Sequence, residues 1–182
     1  MNKNNELDIQ VELTEGDIEI IKRYVNKIQF PDVYVELGTA QGGSALVARE
    51  ATNKDVEIYS IDILDRLHSK ARNRTDIKFI VSPSVEVAKI WDGFKKIKVL
   101  FIDANHDKAK EDFLVWEKHL TKDAIVIFHD YAVHSPQVVM DCDELFNNNP
   151  NYEILFVPDS SINRTGITSI YQVQKLGTKI LE

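Results

Sequence analysis

The stretch VYVELGTAQGGSALVARE, Val33 to Glu50, decides how the rest of the chain is read. Val33 to Leu37 reads as a buried strand, Gly38 to Gly43 as a glycine-bearing turn, and the residues from about Ser44 as a helix. Glycine has no Cβ, so a turn holding Gly38, Gly42 and Gly43 can take positive φ and admit a ligand close to its backbone. The helix behind it opens with unpaired N–H groups and the positive end of its dipole. Strand, turn and helix together predict a pocket for an anionic or polar cofactor at the carboxyl end of a sheet strand.

The spacing narrows the ligand. A dinucleotide fingerprint is G-x-G-x-x-G, whereas Glu36, Gly38 and Gly42 spell E-x-G-x-x-x-G. This resembles motif I of the class I S-adenosylmethionine-dependent methyltransferases, where a wider turn faces a sulfonium amino acid. The resemblance implies Glu36, Gly38, Thr39, Ala40, Gly42 and Gly43 as cofactor contacts. The plainer alternative is a glycine-rich turn with no ligand at all.

On either side the chain alternates. Thr14 followed three positions on by Asp17 looks like a helix start, and Ile18, Ile21, Val25 and Ile28 recur at helical spacing up to Pro31. The runs VEIYSID (Val56 to Asp62), IKFIV (Ile77 to Val81), IKVLFID (Ile97 to Asp103) and AIVIFHD (Ala124 to Asp130) are short, β-branched and almost unbroken. Strands covered on both faces read that way. Helical stretches separate them, one carrying Ala109, Phe113, Trp116 and Leu120 on a face, another opened by Ser135 and Pro136 and carrying Val138, Cys142 and Leu145 inward. YEILFV (Tyr152 to Val157) and TGITSIYQV (Thr165 to Val173) follow with no helix between them, which predicts an antiparallel hairpin at one edge. The expected fold is α/β: a three-layer αβα, doubly wound, Rossmann-like sheet of seven strands, mostly parallel, with an antiparallel terminal strand. Residues 1–30 are expected to form a helical segment packed on a single cofactor-binding domain, 31–182.

Composition excludes several classes. The 182 residues are 43% hydrophobic and 28% charged, with a net charge of −7. A phosphate backbone demands basic stripes, so nucleic acid is not the expected partner. LDRLHSKARNR, Leu64 to Arg74, is the most basic stretch and reads as a solvated helix face or loop. A single cysteine, Cys142, allows no internal disulfide and no thiolate zinc knuckle. MNKNNELDIQ carries no apolar run, and no stretch reaches the ~20 apolar residues of a membrane helix. The expectation is a cytoplasmic protein that meets no membrane.

In open α/β sheets ligands sit beyond the carboxyl ends of the strands. Asp62 ends the second strand and could accept both hydroxyls of a ribose, or else cap a helix; Ile63 beside it would wall an adenine. Ser82 and Ser84 follow the third strand, either at the adenine edge or capping a helix through Pro83. Asp103 ends the fourth strand and His129 with Asp130 the fifth. Adjacent strands lie ~5 Å apart, so Asp103 and Asp130 could converge, and two such carboxylates repel unless a cation or proton intervenes. Oxygen ligands with room for water favour a hard ion such as Mg²⁺. His68 and His134 read as loop residues, and His119 as closing an amphipathic helix where an imidazolium suits the dipole.

FIDANHDKAKEDFLVWEKHL followed by AIVIFHDY is similar to the small class I methyltransferases that include the cephalosporin-hydroxylase-like and macrolide-sugar O-methyltransferases. Their pattern is D-x-x-H after strand four and an acidic pair plus an aromatic after strand five. The resemblance runs from Val33 to Tyr131. It implies Asp103 and Asp130 as ligands of a divalent metal, His106 as the base, and Asp103 as a contact shared by cofactor and chemistry. His129 departs from the pattern, standing where metal-using relatives carry Asp or Glu. An imidazole ligates Mn²⁺ or Fe²⁺ but suits Mg²⁺ poorly, so His129 is a ligand, a donor beside the site, or a contact to cofactor or substrate.

The expected function is S-adenosylmethionine-dependent O-methylation of a small-molecule hydroxyl, metal-assisted if the ligands hold. Residues DANH after strand four lack the N/D-P-P-Y stretch of base amino-methylation, and Cys142 is misplaced for cytosine C5 chemistry. The competing reading is a catalytically silent module that binds S-adenosylmethionine or a nucleotide. A nicotinamide oxidoreductase has the wrong glycine spacing. With little chain beyond the first helix to cover a substrate, a homo-oligomer that supplies the missing wall is also plausible.

Overall fold

The computed structural model describes residues 13–131, 136–156 and 170–176. Seven strands form one sheet in the order β3-β2-β1-β4-β5-β7-β6. They are β1 (Val33–Leu37), β2 (Ile58–Asp62), β3 (Lys78–Val81), β4 (Ile97–Ile102), β5 (Leu120–Phe128), β6 (Tyr152–Phe156) and β7 (Tyr171–Lys175). β3, β2, β1, β4 and β5 pair in parallel. β7 runs antiparallel to both β5 and β6, so the terminal hairpin inserts its second strand into the sheet and leaves β6 at the edge. Among the described residues the α-helices are α1 (Glu15–Val25), α2 (Gly43–Ala51), α3 (Ser69–Arg72), α4 (Ser84–Lys89), α5 (Ala109–Trp116) and α6 (Pro136–Phe146).

Strand alternation sorts the core into two layers. Val33, Val35 and Leu37 of β1 point to one side, where Phe113 and Trp116 of α5 and Val138, Cys142 and Phe146 of α6 cover them. Tyr34 points to the other, beneath Ile21 and Val25 of α1 and Leu46 of α2. Every residue of β1 and β2 is buried, as nearly unbroken apolar runs predict, the polar Glu36, Ser60 and Asp62 included. IKFIV departs from that expectation: β3 has a strand on one side only, and Lys78 and Val81 are exposed. Trp91 packs edge-on against Tyr59 and Trp116, which makes both tryptophans core residues.

α1 starts at Thr14 with a complete capping box. The Asp17 N–H donates to Thr14 Oγ1 at 3.2 Å, and Asp17 Oδ2 accepts from the Thr14 N–H at 2.8 Å. The helix ends at Val25, six residues short of Pro31. His119 corrects the helix-end expectation. It lies buried in a 3₁₀ turn, Glu117–His119, and Nε2 contacts the Ala88 carbonyl at 2.9 Å. Burial holds its pKa below the ordinary histidine value, which favours the neutral ring over an imidazolium. His134, Ser135, Val157 and residues 165–169 lie outside the described residues. Among the described residues no helix is long and apolar enough to cross a membrane.

Candidate active site at the strand tips

The parallel ladder continues one residue past the strands and brings their tips into step. Gly38 donates to the Ile61 carbonyl at 2.8 Å, Asp103 to Leu37 at 2.8 Å, His129 to Ile102 at 3.0 Å and Ser82 to Asp62 at 2.9 Å. Residues that follow four different strands therefore open into one cleft of about 920 Å³. Of the residues singled out from sequence, Gly38, Ala40, Asp62, Ile63, Ser82, Ser84, Asp103, His106, His129 and Asp130 line it. Thr39 and Gly43 line a small adjoining hollow on the other side of the turn, again with Gly38 and Asp103. Glu36 and Gly42 line neither.

The glycines answer first to protein packing. Gly38 has φ +96, and a Cβ there would sit 2.0 Å from the Asp103 carbonyl oxygen, so β1 and β4 close up only over glycine. Gly42 has φ +89 and caps α2, and its Cβ would meet the Ala71 Cβ at 2.6 Å. Between them Ala40 holds φ +44, a left-handed conformation unusual for alanine. Asp62 explains how: its Oδ2 accepts from the Thr39 N–H at 3.1 Å and the Ala40 N–H at 2.9 Å. Oδ1 accepts from Leu64 at 2.9 Å. Asp62 is thus a staple for the turn as well as a wall of the cleft. Both of its oxygens are engaged within the protein, so it is not the free carboxylate that the ribose expectation supposed.

Glu36 corrects the expectation of a direct ligand contact. It is fully buried and accepts from Tyr34 Oη (3.0 Å), Ser44 Oγ (3.2 Å) and Ser60 Oγ (2.7 Å), tying β1 to β2 and to the first turn of α2. Burial raises its pKa from 4.5 to about 7 against the opposing pull of those three hydroxyls. The folded-state value lies above the unfolded one, so the native protein holds the extra proton between roughly pH 4.5 and 7. Stability from this group is complete below that window and is lost as the pH rises through it. Glu36→Gln keeps the shape and removes the charge. Its melting temperature should match the wild type near pH 4 and exceed it by roughly 6–12 °C at pH 8, from about 3 kcal/mol. A difference that does not grow with pH would refute this account.

Ser82 and Ser84 sit on the cleft wall, and Pro83, not a serine, holds the N-cap position of α4. The Ser84 hydroxyl donates to Asp112 on α5. Arg66 and His68 also reach the cleft, from the stretch expected to be a solvated face. Lys108, Glu111 and Asp112 join them from the chain after D-x-x-H. Arg66 stands four residues past Asp62 and reaches its Oδ2 at 3.4 Å, a spacing that was readable in the sequence.

Asp103, His129 and Asp130 come together, with one potential ligand atom from each lying within 4.8 Å of the others. His129 Nδ1 is 3.0 Å from Asp103 Oδ1 and 3.5 Å from Asp130 Oδ2. His106 Nε2 is 3.2 Å from Asp130 Oδ2 and 3.7 Å from Asp103 Oδ1. Asp130 adopts φ +55, so the chain turns sharply to present its carboxylate here. The paired charges shift the titrations. Asp103 and then Asp130 raise His106 from 6.5 to about 9, above the near-neutral value expected of a base. Burial alone would lower His129, but Asp103, Asp130 and Asp17 outweigh it and carry the ring to about 12. Asp130 is held well below the usual carboxylate range: its own burial opposes this, and the two imidazoles prevail.

This donor set fits a divalent ion. Two carboxylates and an imidazole nitrogen face one point, and the second nitrogen of that imidazole, buried and without a hydrogen bond, points back at a carboxylate of α1. One nitrogen among oxygens suits Mn²⁺ or Fe²⁺ better than Mg²⁺. The cleft likewise fits an adenosyl cofactor in volume, and its lining mixes apolar Ile61, Ile63 and Val85 with the polar tips at either end.

The described fold is shared with known proteins. TomG, an O-methyltransferase from Streptomyces achromogenes involved in tomaymycin synthesis and solved with S-adenosylmethionine, superposes with a TM-score of 0.72 at 16% identity, covering 88% of this chain and 79% of its own. A proposed O-methyltransferase from Klebsiella pneumoniae gives 0.74 at 13%, covering 96% and 86%. A proposed caffeoyl-CoA O-methyltransferase from Staphylococcus aureus gives 0.65 at 19%, covering 88% and 82%. No curated protein matches by sequence. The family model described as a methyltransferase domain, however, matches residues 35–131, over half of the chain and the whole run from the glycine turn to the fifth strand tip. The chain belongs to the methyltransferase-domain family.

Proposed function

We propose that this protein transfers a methyl group from S-adenosylmethionine to the hydroxyl of a small molecule, assisted by a divalent ion at Asp103, His129 and Asp130. The observation that carries the reading is the single cleft shared by Gly38, Asp62, Asp103, His106 and Asp130. Bound S-adenosylmethionine supplies an electrophilic methyl on a sulfonium. A divalent ion held by Asp103, His129 and Asp130 would supply Lewis-acid chemistry and lower the pKa of the acceptor hydroxyl. The chain does the rest. Asp62 and Ile63 hold the adenosine end, the turn at Gly38 sets how close the methyl carbon comes, and Asp103 and Asp130 fix the acceptor oxygen in near-attack alignment. His106, beside both carboxylates, receives the hydroxyl proton on Nε2.

The net charge of −7 and the mixed charge around the cleft favour a small acceptor over a nucleic acid, and a cytoplasmic setting matches the cofactor. A silent binding module is the second reading. The raised pKa of His106, held up by Asp103 and Asp130, favours it, because a protonated ring takes up no further proton.

Two measurements in sequence decide. Calorimetry should find S-adenosylhomocysteine binding in the micromolar range and no NADH binding. A screen of hydroxylated acceptors with labelled cofactor, with and without Mn²⁺, should then find turnover. Absence of S-adenosylhomocysteine binding at millimolar concentration defeats the methyltransferase and the S-adenosylmethionine-binding module alike, whereas binding without any transfer selects the silent module.

A further inference from the structure

We propose that Asp17, in the first turn of α1, is the positioning residue for the ion site at the strand tips, acting through His129. The inference rests on the ion-binding part of the function proposed above.

Asp17 is fully buried, an unusual place for the third residue of a capping box. A cap needs only an acceptor, and Asp17 meets that need with one oxygen, Oδ2, which takes both the N–H and the Oγ1–H of Thr14 at 2.8 Å. A carboxylate sealed from water is costly unless a positive or strongly donating group faces it. His129 supplies that group from the tip of β5, its Nε2 3.6 Å from Asp17 Oδ2. The ring is 4% exposed, and no hydrogen bond to Nε2 is complete.

The consequence lies on the opposite side of the ring. With Nε2 turned back towards α1, Nδ1 faces Asp103 and Asp130 at 3.0 and 3.5 Å. A carboxylate behind an imidazole fixes the ring plane and leaves the far nitrogen's lone pair for a metal. Phe101 packs against the ring at 5.8 Å and closes one side of it. α1 therefore does more than cover the sheet: its first turn aims a ligand.

The test uses Mn²⁺ on the full chain, followed by electron paramagnetic resonance, with no cofactor or acceptor present. Wild type should bind Mn²⁺, and Asp17→Asn, which can still accept at the cap, should bind it 10–100-fold more weakly. Thr14→Ala is the structural control. It removes the cap hydroxyl and spares the carboxylate, so it should lower the melting temperature by a few degrees and change Mn²⁺ affinity less than twofold. Equal Mn²⁺ affinity in wild type and Asp17→Asn overturns the proposal, as does wild type that takes up no Mn²⁺ at millimolar concentration, or Thr14→Ala weakened as much as Asp17→Asn. Calorimetry with S-adenosylhomocysteine on the same samples keeps the two readings apart, since that affinity tests the cofactor cleft and should be the same in all three proteins.

Discussion

Gly38→Ala is expected to cost roughly 3–5 kcal/mol of stability and to abolish binding of S-adenosylhomocysteine. Two independent penalties meet at this residue. Its φ of +96 is one that alanine rarely adopts, and the added Cβ would lie 2.0 Å from the carbonyl oxygen and 2.5 Å from the carbonyl carbon of Asp103. Both obstacles are backbone, so no side chain can swing aside, and relief requires β1 and β4 to part at their tips. That separation moves Asp103 and widens the cleft proposed to hold the cofactor. Gly42→Ala shares the positive φ, but its new Cβ would meet side-chain atoms of Ala71 and Leu67, at 2.6 and 3.3 Å, instead of backbone. It should cost about 1–3 kcal/mol. Gly93→Ala meets nothing within 4 Å and should stay within about 0.5 kcal/mol of wild type. Urea denaturation of the three variants checks the ranking. Gly38→Ala with unchanged stability would falsify the claim that the turn is built around strand contact.

What the sequence made legible follows from which forces act locally. Val33 to Leu37 and Ile97 to Ile102 are nearly unbroken apolar runs, interrupted only by Glu36 and Lys98, because sheet neighbours and helices cover both faces, and such runs can be read without knowing the neighbours. The strand-tip residues could be read for the same reason, since topology alone puts them on one edge. Roles that depend on partners distant in sequence were hidden. Glu36 has the spacing of a ligand contact, but Ser60, 24 residues away, and Ser44 turn it inward. Asp62 has the place of a ribose acceptor, and the backbone of Thr39 and Ala40 takes up half of it. Asp17 read as a cap because its local partner is Thr14; His129, more than a hundred residues later, left no mark nearby. His119 failed as a helix-end cation because only the packed structure reveals how deeply Trp91 and Trp116 bury it.

The second large effect concerns turnover. His106→Gln is expected to lower kcat by 10²–10⁴-fold, the usual worth of a positioned proton acceptor, while S-adenosylhomocysteine affinity stays within twofold. His106 is about a third exposed, in a single 3₁₀ turn, His106–Lys108, capped by Asn105. It contributes little to the core, so a loss of rate cannot be assigned to unfolding. Glutamine retains hydrogen bonding towards Asp130 but cannot take up a proton near neutral pH. Asp103→Asn is predicted to lose rate and also to weaken the strand-tip cluster, because Asp103 touches both imidazoles. Comparing the two variants separates proton transfer from positioning: the first should alter kcat alone, the second kcat together with Mn²⁺ affinity. Should His106→Gln turn over an acceptor at the wild-type rate, the proton must leave by another route. The acidic pair would then serve only to hold the acceptor oxygen against the methyl carbon, and alignment would carry the catalysis.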